Sequence, residues 1–464
     1  MTLRLAGIWL VLFAVYASTL GLDSFGASDY GGDEPHYLLT AKSLVEDGDF
    51  DVRNQRAERQ WEEFYPQYLD RHGKLTDGRA HEPHGAGFPA LIAPAFALGG
   101  AKAVELFLAA IAAIGGVLAY LLALRVVPDP WAIGATLAVT LSPPFIAYGT
   151  AVYPELAAAT ALAGAALLAL RLQEEITRPA AAGCFLLLAT LPWLGTKFVA
   201  AGIVIGVVAA RTMWRARHRT LALLTSEIAA FSVIFYATLN EALYDGPTPY
   251  SAEVEGESST DASFPGGYIE RAYRLIALLI DREVGLLRWA PVFALAGVGV
   301  WLLVRTRHEK LARALPQHAR ADATAFLCTL VLGAQLLVAA FIAPTMFGFS
   351  FPPRHLLAGL LIAVPLVAWG LRRFPRTGVA LGAIGLVGSA WLYADVRWGG
   401  GGFADGRPDA PWGPLEDVFP LFREGNTLPF VVAGALGAAF VALCFLAWWN
   451  SRQSAGATRA KYSG

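Results

Sequence analysis

Residues 31–35 read GGDEP, so the adjacent carboxylates Asp33 and Glu34 sit between a glycine turn and a proline, just past the first apolar segment. Two carboxylates at one site can act as a general base and an orienting group. The plain alternative is structural: Asp33 caps a helix, while Glu34 and Pro35 suit its first turn. Further along, YGTAVYPEL (148–156) places Tyr153 and Glu155 in a tight turn between apolar runs. A carboxylate there is costly without a partner or water, unless it only caps the next helix. The segment LPWLGTKF (191–198) offers Lys197, with Trp193 four residues before it. That pair reads either as a snorkelling lysine with an interfacial tryptophan or as a phosphate-holding cation. HEPHGAGFPAL (81–91) contributes His84, LLIDREVGLLRWAP (278–291) contributes Arg282, and FGFSFPPRHLL (347–357) contributes Arg354 and His355.

The elements that must position these residues are membrane helices. The chain has 464 residues, 56% hydrophobic and only 16% charged, which is well below the charge of soluble domains. Apolar runs at 3–22, 103–124, 131–149, 152–170, 180–194, 196–210, 220–243, 289–304, 323–343, 355–370, 378–394 and 428–449 predict an all-α integral membrane protein with about twelve crossings. Residues 3–22 are too long for a cleaved signal and read as a retained signal anchor. The basic stretches RTMWRARHR, RTRHEKLARAL and LRRFPR all fall on one side, which makes that side cytoplasmic and puts both termini there. The polar segments 23–102, 244–288 and 395–427 then share the other face within one transmembrane domain.

In the first of these segments, Tyr37, Leu38, Ala41, Leu44 and Val45 mark one apolar face, predicting a juxtamembrane helix lying on the membrane surface. Segment 88–100 is too short to cross and is expected at the interface. Cys184, Cys328 and Cys444 lie in apolar runs, which argues against disulfides, redox pairs and cysteine metal sites. The net charge of −1 and the lack of a basic arm argue against nucleic-acid binding. Arginine exceeds lysine five to one, a bias associated with GC-rich bacterial genomes.

Acids and bases gathered on the outer face suit a phosphate-linked substrate, as binding handle or leaving group. Nucleotide-activated donors are absent outside the cytoplasmic membrane, so such a donor has to be carried by lipid. A sugar on polyprenyl phosphate fits, with the prenyl tail between helices, the phosphate near Lys197 and arginines, and the sugar facing Asp33.

The segments GDEPHYLLTAKSLVEDGDFD, HGAGFPALIAPAFALGG, YPELAAA, LPWLGTKF, LIDREVGLLRWAP and FPPRHLL, in this order, resemble the GT-C glycosyltransferases, in particular bacterial relatives of the protein O-mannosyltransferases and the lipid A aminoarabinose transferases. The resemblance implies a GT-C fold in the bacterial inner membrane, and transfer of a sugar from polyprenyl phosphate to a glycan, lipid or protein hydroxyl with inversion. It implies Asp33 as the base, Glu34 and Glu155 as orienting acids, and Lys197, Arg354 and Arg282 on the donor phosphate. Tyr37, His84, Tyr153, Trp193 and His355 are expected to line the substrate site. The chain departs from several relatives in stopping soon after its last apolar run, with no large soluble C-terminal domain expected. DGDFD (47–51) lacks the surroundings of a nucleotide-sugar or EF-hand motif and reads as a turn, with a divalent cation as the other reading. The rival functions are a twelve-span secondary transporter or flippase, which places its ionisable groups near the bilayer midplane, and a non-catalytic scaffold.

Overall fold

The structure is a computed structural model that describes residues 2–26, 28–252, 270–308, 316–343, 346, 348, 350–404, 418–422, 427–432, 434, 435 and 438. It opens with α1 (Thr2–Ala17), then α2 (Glu34–Glu46), α3 (Arg53–Ala57) and a small antiparallel hairpin, β1 (Leu75–Thr76) and β2 (Arg79–Ala80), with Leu75 opposite Ala80. The helices α4 (Gly87–Leu124), α5 (Trp131–Thr140), α6 (Pro143–Tyr148), α7 (Glu155–Leu172), α8 (Arg178–Leu194), α9 (Val199–Arg215) and α10 (Arg219–Tyr244) follow. After them come α11 (Arg274–Ile280), α12 (Leu286–Trp289), α13 (Ala294–His308), α14 (Pro316–Leu337), α15 (Leu357–Arg373) and α16 (Pro375–Ala394).

Among the described residues, seven helices are long and apolar enough to cross a membrane, and four shorter apolar helices accompany them. The first eleven expected spans each fall on one of these eleven. The twelfth, 428–449, lies largely outside the described residues, as do much of the 244–288 and 395–427 segments. Helices suit a bilayer because each satisfies its own backbone hydrogen bonds.

One expected span is broken, and another has a break just before it. The 131–149 span divides into α5 and α6, where Ser142 is extended ahead of Pro143 and Pro144. In α4, Gly99 and Gly100 take non-helical dihedrals, and Gly100 has φ +64. The expected short segment 88–100 is therefore one arm of α4 that ends at these glycines, and the span proper follows them.

α7 and α15 form the centre, buried along nearly their whole length, with α4, α5, α13 and α14 packed around α15. Small residues allow the helix backbones to approach closely. A Cβ on Gly299 of α13 would come within 2.4 Å of the Leu366 carbonyl oxygen, and one on Gly370 within 2.4 Å of that of Leu295. Because the helices alternate in direction, the loops at 28–33, 149–154, 195–198 and 350–356 share one end of the bundle. The turns near Arg125, Glu174 and Arg320 share the other, where Glu174 pairs with both arginines at 2.8 and 3.0 Å.

The α2 helix differs from the surface helix expected. Pro35 to Ser43 are all buried, polar residues included, whereas Val45 is 40% exposed. The polar side is covered by the rest of the first loop: Lys42 pairs with Glu46 and Glu63, and Leu39 joins Val52, Trp61, Leu69 and Ala80 in a small core of its own.

Candidate active site

Asp33 occupies the N-cap position of α2, but with helical backbone angles (φ −80, ψ −10) and no capping bond from its side chain. An N-cap normally takes extended angles that turn its side chain back onto the first turn. The expected capping role is thus not the one seen. Instead Asp33 Oδ2 meets Arg354 Nη2 at 2.7 Å.

Glu34 holds the turn in place. Its Oε2 accepts from the Gly31 backbone N–H and the Ser24 hydroxyl, and its Oε1 from the Val152 N–H, all at 2.8 Å. Tyr153 adds a return contact, donating its hydroxyl to the Gly31 carbonyl at 3.0 Å. The first loop is so clipped to the 149–154 turn, and Glu34, 1% exposed, spends its oxygens on that clip. Its geometry assigns it to positioning Asp33. Burial raises its carboxyl to about 7 against the three donors that favour the ionised form.

Glu155 is the first residue of α7 and fully buried. Its Oε1 accepts from Lys197 Nζ at 2.6 Å and from Arg354 Nε at 2.7 Å. Arg354 therefore bridges the two acids, Nη2 to Asp33 and Nε to Glu155, and its Cζ lies 4.1 Å from the centre of the Tyr153 ring. Four residues from four separate loops make one chain: Asp33, Arg354, Glu155 and Lys197. Two positive and two negative charges balance. Glu155 Oε2 is buried with no hydrogen-bond partner among the described residues, and so is Nδ1 of His355, which lies within electrostatic reach of Lys197, Arg354 and Glu155. Unsatisfied polar atoms at such a place are open to the polar groups of a ligand.

Burial opposes ionisation of Asp33, but the Arg354 guanidinium outweighs it and holds the carboxyl well below the usual range. Aromatic rings wall the cluster. Tyr37 stands edge-on to Phe88 at 4.9 Å and near His84 at 5.5 Å, and Tyr148 stands edge-on to Tyr153 at 5.8 Å while donating to the Phe351 carbonyl.

Beside Asp33 lies a group of histidines. His72 Nδ1 is 3.1 Å from His84 Nε2, and the His36 ring stacks on His72 at 4.0 Å. Burial is the main cause that lowers both His72 and His84 to about 4, so both are neutral at neutral pH.

Other candidates lie apart from this chain of charges. Arg282 is fastened to the 418–422 segment, its Nε donating to the Phe419 carbonyl and its backbone N–H to that of Pro420. Trp193 donates its indole N–H to Ser232 at 2.8 Å and packs on Phe235 and Tyr236, tying α8 to α10. In DGDFD the acids shape a turn: Asp47 accepts from Asn54, Asp49 from the Asp51 N–H, and Asp51 from Arg53 and the Ala80 N–H.

Tyr250 is a neighbour that sequence reasoning missed. Largely exposed on the turn after α10, it is hydrogen bonded to Thr196 and within electrostatic reach of Asp33, Arg354 and Glu155. Nothing in PTPYS sets it apart from any other turn, so only the fold reveals it. His36 and His72 were also missed, and the pairing of His84 with Asp33 in one loop was the sole hint.

No family model and no curated protein matches the sequence. Solved structures do resemble the fold. ArnT from Cupriavidus metallidurans in the apo state aligns with a TM-score of 0.53 at 16% identity, over 84% of this chain and 65% of that one. The same protein bound to undecaprenyl phosphate aligns with a TM-score of 0.52 at 13% identity, over 86% and 73%. The chain spans just under two thirds of the length of the apo ArnT chain and shares its fold over that stretch.

Proposed function

We propose that the protein is a membrane glycosyltransferase that moves a sugar from a polyprenyl-phosphate carrier to an acceptor hydroxyl, with inversion at the anomeric carbon. The observation that carries this reading is the meeting of Asp33, Arg354, Glu155 and Lys197 in one cluster with an unsatisfied buried Glu155 oxygen. It is supported by a fold shared with a protein whose structure holds undecaprenyl phosphate. The charges lie at helix ends rather than at mid-depth, which favours surface chemistry over a carrier's central ion site.

In the resting cluster Arg354 is occupied by Asp33 and Glu155, and Asp33 so clamped is a weak base. A donor phosphodiester brings one negative charge. As it takes guanidinium and ammonium hydrogen bonds from Arg354 and Lys197, it competes with Asp33, whose carboxylate becomes freer and more basic. The acceptor oxygen then attacks the anomeric carbon, the bond from that carbon to the phosphate oxygen breaks, and the acceptor proton passes to Asp33. Polyprenyl phosphate leaves with one more negative charge than the bound diester carried, while Asp33 has lost one, so the net charge of the pocket does not change. Arg354 and Lys197 stand where charge grows on the leaving oxygen, which is where fixed cations accelerate a reaction. Glu155 holds both cations in place, and Tyr37, Tyr153, Tyr250, His84 and His355 face the substrate. Arg282, fastened to the 418–422 segment, and Trp193 of α8, packed on α10, support the site from outside the cluster of charges. The acceptor is a glycan, lipid or protein at the outer face of a bacterial inner membrane.

The test is phosphorus NMR of the purified protein in nanodiscs with synthetic undecaprenyl-phosphate sugars and mixed acceptors. A diester signal converting to monophosphate with wild type, and not with Asp33→Asn, supports the reading. Donor that stays intact across the common hexoses and pentoses, despite measured binding, refutes it.

A further inference from the structure

We propose that His36, His72 and His84 form a site for a divalent cation of the zinc class, which staples the first loop beside Asp33. Among the described residues they are the one group of metal-ligating side chains that converges, with one nitrogen of each within 4.8 Å of the others. Each comes from a different piece of that loop: His36 from α2, His72 from the stretch before the hairpin and His84 from the turn before α4.

The donor set selects the ion. Three imidazole nitrogens suit zinc, copper or nickel, whereas magnesium and calcium demand oxygen ligands. The second shell is already in place. His36 Nδ1 lies 2.9 Å from Glu82 Oε2, and the other Glu82 oxygen takes Arg56 Nε at 2.9 Å. A carboxylate paired with arginine can only accept, so Nδ1 of His36 is the nitrogen turned to Glu82 and Nε2 is the one available to a metal. This is the carboxylate–histidine–metal arrangement that orients ligating imidazoles. Glu82 and His36 are 4% and 1% exposed, so their pairing is built into the loop core.

At the other two ligands, His72 Nδ1 and His84 Nε2 share one proton across 3.1 Å. A cation entering between them moves that proton to the remaining nitrogen of its own ring, with no net release. Zinc–nitrogen bonds of about 2.0–2.1 Å require the three nitrogens to draw in slightly around the ion. His72 supplies that movement, since it stands on a loop and is only partly buried. Three protein ligands leave a fourth position for water or substrate. The site is independent of the Arg354 cluster and stands whether or not that cluster transfers sugar.

The test uses the full-length protein in detergent, purified without a histidine tag and stripped with chelator. Zinc is added at micromolar concentration, excess is removed by gel filtration, and bound metal is counted by mass spectrometry. One zinc per chain is expected for wild type and for His218→Ala, and less than a fifth of that for His72→Ala and His84→Ala. Zinc is also expected to raise the unfolding temperature of wild type but not of His72→Ala, and magnesium to raise neither. Wild type that retains no zinc overturns the proposal, whatever the variants do. So does equal zinc retention by wild type and both histidine variants.

Discussion

Replacing Asp33 by Asn has an outcome that separates a competing base from a purely structural acid. Asp33 and Glu155 share Arg354, at 2.7 Å each, so a phosphate that uses this guanidinium has to displace one of them. Asp33 is the more exposed of the two, at 25% against 0% for the side chain, and yields first. Asn keeps the shape and an accepting oxygen but removes the charge. A charge-assisted hydrogen bond is worth about 1.5–3 kcal/mol and a neutral one about 0.5–1.5, so the difference is on the order of 1 kcal/mol, discounted for exposure. Undecaprenyl phosphate should therefore bind Asp33→Asn about 3–10 times more tightly than wild type. At the same time sugar transfer should fall by about 100-fold or more, the usual worth of a general base. Binding is read with labelled undecaprenyl phosphate on nanodiscs by scintillation proximity, at low and moderate salt. Weaker binding in the variant refutes the exchange of ion pairs on which the mechanism rests.

Arg354→Lys offers one nitrogen where two carboxylates now each find one. It should weaken phosphate binding about 10- to 100-fold, the loss of one charge-assisted bond, while the protein still elutes as a single species. Glu34→Gln turns an amide toward backbone N–H groups and should cost about 1–3 kcal/mol of stability, seen as a lower melting temperature. The pH dependence carries the sign of the shift. Because the folded carboxyl of Glu34 is raised from 4.5 to about 7, its contribution to stability is complete below pH 4.5 and is lost as pH rises through 7. The melting temperature of wild type should thus carry a falling component between pH 5 and 8 that Glu34→Gln lacks. Asp33 is held the other way, so its contribution is present above its ordinary 3.8 and lost only in stronger acid, and donor-free protein should show no transition from it between pH 5 and 8.

The spans were legible because apolar runs of bilayer length leave few other folds open, and α7 through α10 lie close to where hydropathy puts them. The site was partly legible. Asp33, Glu155, Lys197 and Arg354 stood out as charges beside apolar helices, where an unpaired charge is costly. Their pairing was not legible, since Glu155 and Arg354 are joined only by the packing of α7 against α15. The burial of α2 escaped notice because Thr40, Lys42 and Ser43 read as a wet face, and the hairpin that covers them is short and carries no strong strand pattern. Arg282 read as the third cation, and its contacts with the 418–422 segment, far along the chain, were not legible. Separation along the first loop likewise hid the stacking of His36 on His72.

The most direct test of the central claim, that Asp33 at the meeting point of four loops drives sugar transfer, is mass spectrometry of surface glycans, lipids and glycoproteins from cells lacking the gene. The account predicts one sugar missing from a specific product, restored by wild type and left missing by Asp33→Asn expressed at the same level in folded form. Full restoration by Asp33→Asn would contradict it.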